Sequence, residues 1–430
     1  MKTLPVGLRL YRGLSGSFEP FARLFLFRRA SKGKEDRTRL GERRGESTRG
    51  RPAGHLVWLH GASVGEVLSL LPIVEELTKQ DVSVIVTSGT VTSAQILEHR
   101  LPPGALHQFV PLDLPRYADR FLQHWRPDLI LFAESELWPN LLLEAKRKKI
   151  PILLVNARMS ERSFRRWQRF GRVPKHLLSL FDICLAQTQS DAERLLRLGA
   201  PRVSVTGNLK FDSIAPPAPP LKLSALKALV GNRPVWLAAS THEGEDEAVL
   251  TTHANLSAYF PDLLTLIVPR HPERGKSIAA LATRASLRAS LRSAGLVPDS
   301  ATDVYIADTI GELGLFFRLA PIVFMGGSLI PHGGQNPIEP VKLGAALVHG
   351  PHVKNFADIY AVLGKSGGAI SILEPDMLTD TVGHLFDHPA EIRQMAKAAG
   401  EAINQLGGAV DKTMAAIAPF LVRMHLDARR

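Results

Sequence analysis

The sequence predicts an α/β protein made of two doubly wound, parallel-sheet domains. Three observations carry that expectation. Short, almost wholly apolar runs alternate with amphipathic helical stretches along most of the chain, as β-α-β units with both sheet faces covered require. The rhythm breaks once, at the Ile-Ala-Pro-Pro-Ala-Pro-Pro run of 214–220, and then restarts. The 430 residues are enough for two or three domains that each bury a core.

In the first half, strands are expected at His55–His60, Val82–Thr87, Asp128–Phe132 and Ile152–Val155. Helices are expected between and after them at Glu66–Lys79, Ala94–His99, Arg116–Trp125 and Leu141–Lys148. After the hinge, strands are expected at Val235–Ala239, Leu263–Val268, Asp303–Ala307, Ile322–Met325 and Ala346–His349. The expected organisation is a basic segment over 1–51, a first domain over 52–213, a proline-rich linker over 214–221 and a second domain over 222–430. Ligands of such sheets sit beyond the carboxyl ends of the strands, so the two domains are expected to face a central cleft.

Composition narrows the class. Apolar residues make up 45% and charged residues 22%, which excludes a mainly disordered, collagen-like or polytopic membrane chain. The single cysteine, Cys184, rules out a disulfide framework and any cysteine-based zinc or iron–sulfur site within one chain. Of the net charge of +12, residues 1–51 contribute +9, from 14 Lys/Arg against 5 Asp/Glu. A near-neutral body therefore carries a strongly basic N-terminal segment.

No run of 18 apolar residues occurs, which argues against a membrane-spanning helix. Between Leu14 and Phe27, Phe18, Phe21, Leu24 and Phe25 fall at helical spacing on one side, with Glu19, Arg23, Arg28 and Arg29 around them. That pattern predicts an amphipathic helix lying in a lipid interface, its basic flank held by anionic headgroups. The alternative is a helix packed on the protein body and followed by a floppy basic linker over 31–51. Nucleic acid ranks third, because no reading module is present.

The residues with chemistry in them follow strands. His60-Gly61-Ala62-Ser63-Val64-Gly65-Glu66 is a tight strand-to-helix turn, not a dinucleotide fingerprint. An acid in a first helical turn is routine company for the helix dipole, so on spacing alone Glu66 reads as structural, with a general base as the alternative. Phe132-Ala133-Glu134-Ser135-Glu136-Leu137-Trp138-Pro139-Asn140 places two carboxylates after a buried strand, pointing the same way if the strand continues. The segment 156–175 carries seven basic residues against Glu161, interleaved with Phe164, Trp167 and Phe170, and reads as an anion clamp or a solvated face. Thr206-Gly207-Asn208-Leu209-Lys210-Phe211-Asp212 closes the first half with a lysine that is either simply exposed at a domain boundary or, in a cleft, able to neutralise developing negative charge.

In the second half, Ser240–Glu245, Pro269–Arg274, Asp308–Leu313 and Gly326–Leu329 all follow strands. Gly333-Gly334-Gln335-Asn336-Pro337-Ile338-Glu339-Pro340 reads as a glycine-rich loop opening a helix whose amides receive a phosphate. Together these outline a nucleotide site. His242, His271 and His332 lack metal-ligand spacing, no Asp-x-Asp pair occurs, and no metal or other cofactor is expected.

Taken in order, HGASVGE, FAESELWPN, NARMSERS, TGNLKFD, STHEGE, VPRHPER, DTIGEL and GGSLIPHGGQNPIEP resemble the 3-deoxy-D-manno-octulosonic acid (Kdo) transferases of lipopolysaccharide synthesis, from about His55 to beyond His349. The resemblance implies a GT-B fold of two Rossmann-like domains, CMP-Kdo as donor, a lipid A precursor (lipid IVA) as acceptor, and inversion without a required metal. It implies that Glu66 is the general base, Glu134 (or Glu136) the acidic stabiliser and Lys210 the second stabiliser. It implies CMP contacts at Pro269, Arg270, Ile310, Gly311, Glu312, Asn336, Pro337, Ile338 and Glu339. Many such proteins begin with a membrane-spanning anchor; here Arg12, Glu19 and Arg23 interrupt it, so monotopic or peripheral attachment to the cytoplasmic face of the inner membrane is expected. The rival readings are a GT-B transferase using a UDP-sugar and a non-enzymatic basic scaffold.

Overall fold

The central strands are almost entirely apolar, and in the computed structural model they are buried on both faces. Residues 4–213 and 215–427 are described; Met1–Thr3, Ile214 and 428–430 lie outside the described residues. The chain divides into two compact units, Met1–Ser213 with Leu406–Arg430, and Ile214–Gln405.

The first unit holds β1 (Leu56–His60), β2 (Ser83–Ser88), β3 (Ala105–Phe109), β4 (Leu129–Ala133), β5 (Ile152–Ala157), β6 (Ile183–Ala186) and β7 (Val203–Val205). They form one parallel sheet in the order β3-β2-β1-β4-β5-β6-β7. The order reverses between β1 and β4, so the switch point where ligands bind lies between the ends of those strands. The second unit holds β8 (Val235–Thr241), β9 (Leu264–Pro269), β10 (Ala289–Leu291), β11 (Val304–Ile306), β12 (Ile322–Met325), β13 (Ala346–His349) and β14 (Ala369–Ser371). Its parallel order is β10-β11-β9-β8-β12-β13-β14, with the switch point between β8 and β12. This is the expected α/β class: two Rossmann-like domains.

Each sheet solves the same problem in the same way. Trp58 on β1 is fully buried and donates its indole N–H to Thr87 Oγ1 on β2 at 2.8 Å. Trp236 on β8 donates to Thr265 Oγ1 on β9, also at 2.8 Å. A large ring fills each core while a neighbouring hydroxyl removes the cost of burying its polar edge.

All nine expected strands form, with ends within one or two residues. Five more were not expected. β3 carries the polar pair His107-Gln108, β6 has four residues, and β7, β10 and β14 have three each and all lie at sheet edges. Such runs are too short or too mixed for a period to register.

Two expectations about the ends need correction. The second domain does not extend through 430. The helix Ala409–Asp427 buries Ala409, Ile417, Leu421 and Met424 in the first unit's core, beside Val67, Leu70 and Leu185. Asp212 caps the segment's start, accepting from Gly408 N at 2.9 Å and Val410 N at 2.7 Å. At the other end, the single helix expected over 14–27 is two, Val6–Ser17 and Glu19–Ser31, broken at Phe18 ahead of Glu19-Pro20. Leu8, Ala22, Leu26 and Ala30 are buried, whereas Leu10, Leu14, Phe21, Leu24 and Phe27 are exposed. The stretch 32–51 is not floppy. Arg43 is buried against Glu35 and donates to Val110 O, and Arg51 donates to Trp125 O at 2.8 Å.

Candidate active site

The turn after β1 explains how Glu66 is held. Ser63 is the N-cap of the helix Val64–Lys79, and the Glu66 carboxylate turns back over it. It accepts from Ala62 N at 2.8 Å and Ser63 Oγ at 2.7 Å, like a capping box except that the acid reaches the amide one residue before the N-cap. Gly61 lets the turn close tightly, since a Cβ there would crowd Glu66 Cβ and Val67 N at about 3 Å. Partial burial raises the carboxyl above its ordinary range; the cap bonds oppose this, and the nearby charges of Glu136 and Glu134 add to it. The first-turn place expected on spacing alone is therefore present, and the same carboxylate is held above its ordinary range.

Strand β4 stops at Ala133, and Glu134 enters the left-handed region at φ 52°. The alternation that would have aimed Glu134 and Glu136 alike is lost, and the two carboxylates part. Glu134 Oε1 accepts from Lys210 Nζ at 2.8 Å. Glu136 accepts from the Trp138 indole, and His60 Nε2 lies 3.7 Å from its Oε2. Burial pushes Glu136 up, but His60 and Trp138 hold it below the usual carboxylate range. Lys210 sits in the turn Leu209–Asp212, whose entry is fixed by Asn208 Oδ1 accepting from Lys210 N.

Two residues here were not singled out from the sequence. His60, fully buried at the end of β1, bonds Thr87 Oγ1 through Nδ1 at 2.9 Å and leaves Nε2 toward Glu136. Asn156, also fully buried, has φ 51°; its Oδ1 accepts from Leu209 N while Nδ2 has no hydrogen-bond partner. A non-glycine residue at positive φ next to Glu134 marks a strained strand end of the kind that gathers at functional sites. No periodicity announces it.

The basic segment divides. Phe164 is buried under Arg197, whereas Phe170 is exposed. Arg165 and Arg194 share Glu161, and no ion pair engages Arg158, Arg162, Arg166, Arg169 or Arg172 among the described residues.

In the second unit, one buried carboxylate ties two loops together. Glu245 accepts from His242 N and from the Gly327, Ser328 and Leu329 amides, at 2.7–3.0 Å. The loop after β8 is thereby fixed to the loop after β12, across the switch point. His242 stacks on His332 with ring centroids 4.0 Å apart, and Gln335 Nε2 lies 3.3 Å from its Nε2. Burial and the surrounding cations drop His242 to about 4. Pro269 pairs with Thr241, Arg270 N donates to Thr241 O, and the Arg270 side chain is free to reach outward. Glu312 is held by Arg292 at 2.8 Å, Thr309 at 2.7 Å and Lys222 at 3.0 Å, chiefly the arginine bringing it down to about 2. Ile310 is exposed and Gly311 has φ 85°.

The helix expected after the glycine-rich loop is only Ile338–Lys342, and Asn336 Oδ1 already occupies Ile338 N. Gly333 and Gly334 have φ 114° and 76°, with Asn355 packed against the first. Pro337 is buried and Glu339 half-buried at its start. Among the described residues no three His, Cys, Asp or Glu side chains come together as a metal-ligand group.

The model of the family described as 3-Deoxy-D-manno-octulosonic-acid transferase (kdotransferase) matches residues 38–213. The chain is 33% identical to the 3-deoxy-D-manno-octulosonic acid transferase of Haemophilus influenzae over 94% of its length and 96% of that protein's. It is 36% identical to the enzyme of the same name from Rickettsia bellii, over 88% and 91%. Its fold is similar to that of a glycosyltransferase from Rickettsia africae, with a TM-score of 0.56 at 12% identity over 86% of this chain and 99% of that one. With the ordered motifs lying on the loops just described, the chain belongs to the 3-deoxy-D-manno-octulosonic acid transferase family and is a glycosyltransferase.

Proposed function

We propose that the protein transfers Kdo from CMP-Kdo to a glucosamine hydroxyl of a lipid A precursor such as lipid IVA, with inversion, in lipopolysaccharide core synthesis. The observation that carries this reading is the cluster at the first switch point: a capped carboxylate of raised basicity, Glu66, beside the Glu134–Lys210 ion pair. Glu66 takes the proton as the acceptor oxygen attacks the anomeric carbon, an effect of roughly 10²–10⁴-fold. The bond to phosphate breaks, CMP departs, and Lys210, oriented by Glu134, stabilises the charge that develops. Glu136, turned to His60 and Trp138, shapes the loop.

The second unit supplies the donor contacts, at Pro269, Arg270, Ile310, Gly311, Glu312, Asn336, Pro337, Ile338 and Glu339. Arg270 is suited to the phosphate. The bond to Asn336 and the short helix that follows favour recognition of the nucleoside over an amide cradle for phosphate. The unpaired arginines of 158–172 suit an acceptor bearing phosphates.

No helix among the described residues is long and apolar enough to cross a membrane. The exposed leucines and phenylalanines of the two N-terminal helices, with arginines beside them, support peripheral or monotopic attachment to the cytoplasmic face of the inner membrane. Incubating the purified protein with CMP-Kdo and a tetraacylated lipid A precursor, then weighing the product, tests the whole reading. Protection against thermal unfolding by CMP but not UDP is expected. Protection by UDP alone, or no mass gain, would overturn it.

A further inference from the structure

The first unit contains a cavity of about 440 Å³ whose lining includes none of the residues assigned above to transfer. It lies where the two N-terminal helices meet the start of the helix Pro115–Trp125, and four arginines line it: Arg23, Arg44, Arg116 and Arg120. Only two carboxylates accompany them. Glu46 is shared by Arg44 at 2.7 Å and Arg120 at 2.8 Å, and Glu19 lies 3.3 Å from Arg116. Arg23 makes no close ion pair among the described residues, although its charge also acts on Glu46, so four arginines face two acids and the cavity keeps an excess of two positive charges. The helix Pro115–Trp125 begins there with no acid in its first turn and no side-chain cap, adding the positive end of its dipole. A recess lined by more cations than acids focuses a positive field that favours an anion.

The rim says which anion. Phe18, Phe21 and Phe25 cluster at the break between the two helices, with Phe18 centroids 6.5 and 5.8 Å from the others, and Phe18 is next in sequence to the lining residues Ser17 and Glu19. Phe21 and Leu24 are exposed on the helix that also contributes Arg23. An apolar collar beside a cationic recess matches a molecule with a phosphate joined to acyl chains. The helix Pro115–Trp125 follows β3, so its first turn lies at the carboxyl-end edge of the sheet, the edge that also carries Glu66 and Glu134.

We propose that this cavity binds the phosphate of an anionic membrane-lipid headgroup, Arg23 and Arg116 making the contacts while Arg44 and Arg120 hold the floor through Glu46. The proposal rests on the membrane-attachment reading above and turns it from a diffuse attraction into a site. A lipid bound there would set the depth and tilt of the first unit on the bilayer, and so the height at which Glu66 meets an acceptor.

The test uses the full chain and two variants of equal charge change, R23A/R116A in the cavity and R28A/K32A at the exposed C-terminal end of the helix that carries Arg23. In the presence of saturating CMP, glycerol 1-phosphate is titrated against thermal unfolding. Wild type and R28A/K32A should be stabilised equally, and R23A/R116A should need at least tenfold more ligand. Sedimentation with phosphatidylcholine vesicles containing or lacking 25% phosphatidylglycerol forms the second arm. There R23A/R116A should lose about tenfold more of the phosphatidylglycerol-dependent binding than R28A/K32A, while turnover of detergent-dispersed acceptor stays within twofold of wild type.

Equal losses for the two variants in both arms would overturn the site and leave membrane attachment standing. Glycerol phosphate binding without any variant-specific loss on vesicles would overturn the lipid assignment in favour of a soluble phosphate. A fall in detergent-phase acceptor kcat/KM for R23A/R116A would overturn it in favour of the acceptor's own phosphate. If wild type ignores both vesicle types, the attachment reading fails, and the lipid assignment fails with it even where glycerol phosphate still binds.

Discussion

Lys210 Nζ lies 2.8 Å from Glu134 Oε1, joining the turn Leu209–Asp212 to the loop after β4 across 76 residues of sequence. Glu134 can reach it only because the chain leaves β4 through a positive φ, which rotates the carboxylate away from Glu136. The pair behaves as one device, a cation whose position is set by its partner.

Removing either member should therefore cost much the same. K210A and E134Q are each expected to lower kcat by about 10²–10³-fold, with CMP-induced thermal protection retained. The double variant should fall little further than the worse single, because groups that act as a unit are not additive. Fully additive losses in a double-mutant cycle would show that the two residues act separately.

Glu66 sits under opposing demands. Its carboxyl is raised by burial and by the neighbouring acids, so the acid limb of the kcat profile should lie above the ordinary carboxylate range. E66Q should remove that limb and lower kcat by about 10²–10⁴-fold. The sign for stability is opposite. A raised carboxyl favours the folded state below its unfolded value and loses that contribution as pH rises through the folded value, so wild type carries a penalty at pH 8. E66Q should unfold at the same or higher temperature than wild type at pH 8, with Oε1 still able to accept one cap bond. A clear drop in Tm would show that the capping role outweighs the strain.

How much of this was readable beforehand depended on what each residue's role leaves in the sequence. The nine strands expected were found because short apolar runs alternating with helical stretches set up a rhythm. β7 and β14 have three residues each and leave none. Glu66, Glu134 and Lys210 stand out in the sequence because they follow strands and belong to ordered motifs, and the structure adds their partners. His60 and Asn156 could not be told from core residues, since their meaning lies in an unfilled nitrogen and a backbone angle. The fate of the C-terminal helix was hidden for a different reason. An amphipathic stretch declares that it will pack, but not on which of two sheets.

His107 on β3 should make the first unit acid-labile. It is buried, bonds Ser88 Oγ through Nε2 at 2.9 Å, and has Arg39 at 3.1 Å from Nδ1. Burial first, then the charges of Arg39 and Arg49, drop it to about 3. The unfolded chain binds a proton near 6.5 and the folded one does not. The contribution is thus complete above about pH 6.5 and declines below it by about 1.4 kcal/mol per pH unit. Calorimetry between pH 7 and 4.5 should show Tm falling before the carboxylates titrate, and H107Q should flatten that slope. An unchanged slope in H107Q would place the acid sensitivity elsewhere, with His242 the next group to remove.

Asp212 offers the sharpest test of how the C-terminal helix is held. Its two oxygens accept from Gly408 N and Val410 N, so one side chain starts a helix that lies about 200 residues further on. Gly207 approaches the same turn closely, a Cβ there coming to 3.3 Å from Ala409 Cβ. D212A removes a cap and leaves two amides without a side-chain acceptor, a loss of about 1–2 kcal/mol. The effect should fall on the first unit, because Ile417, Leu421 and Met424 complete its core. Hydrogen exchange should then show faster opening of 409–427 and of the helix Val64–Lys79 against which it packs, with 235–349 unchanged. Because that second helix carries Glu66, D212A should also lower kcat while leaving CMP binding intact. Loss of protection confined to the second unit would mean that the C-terminal helix belongs there after all.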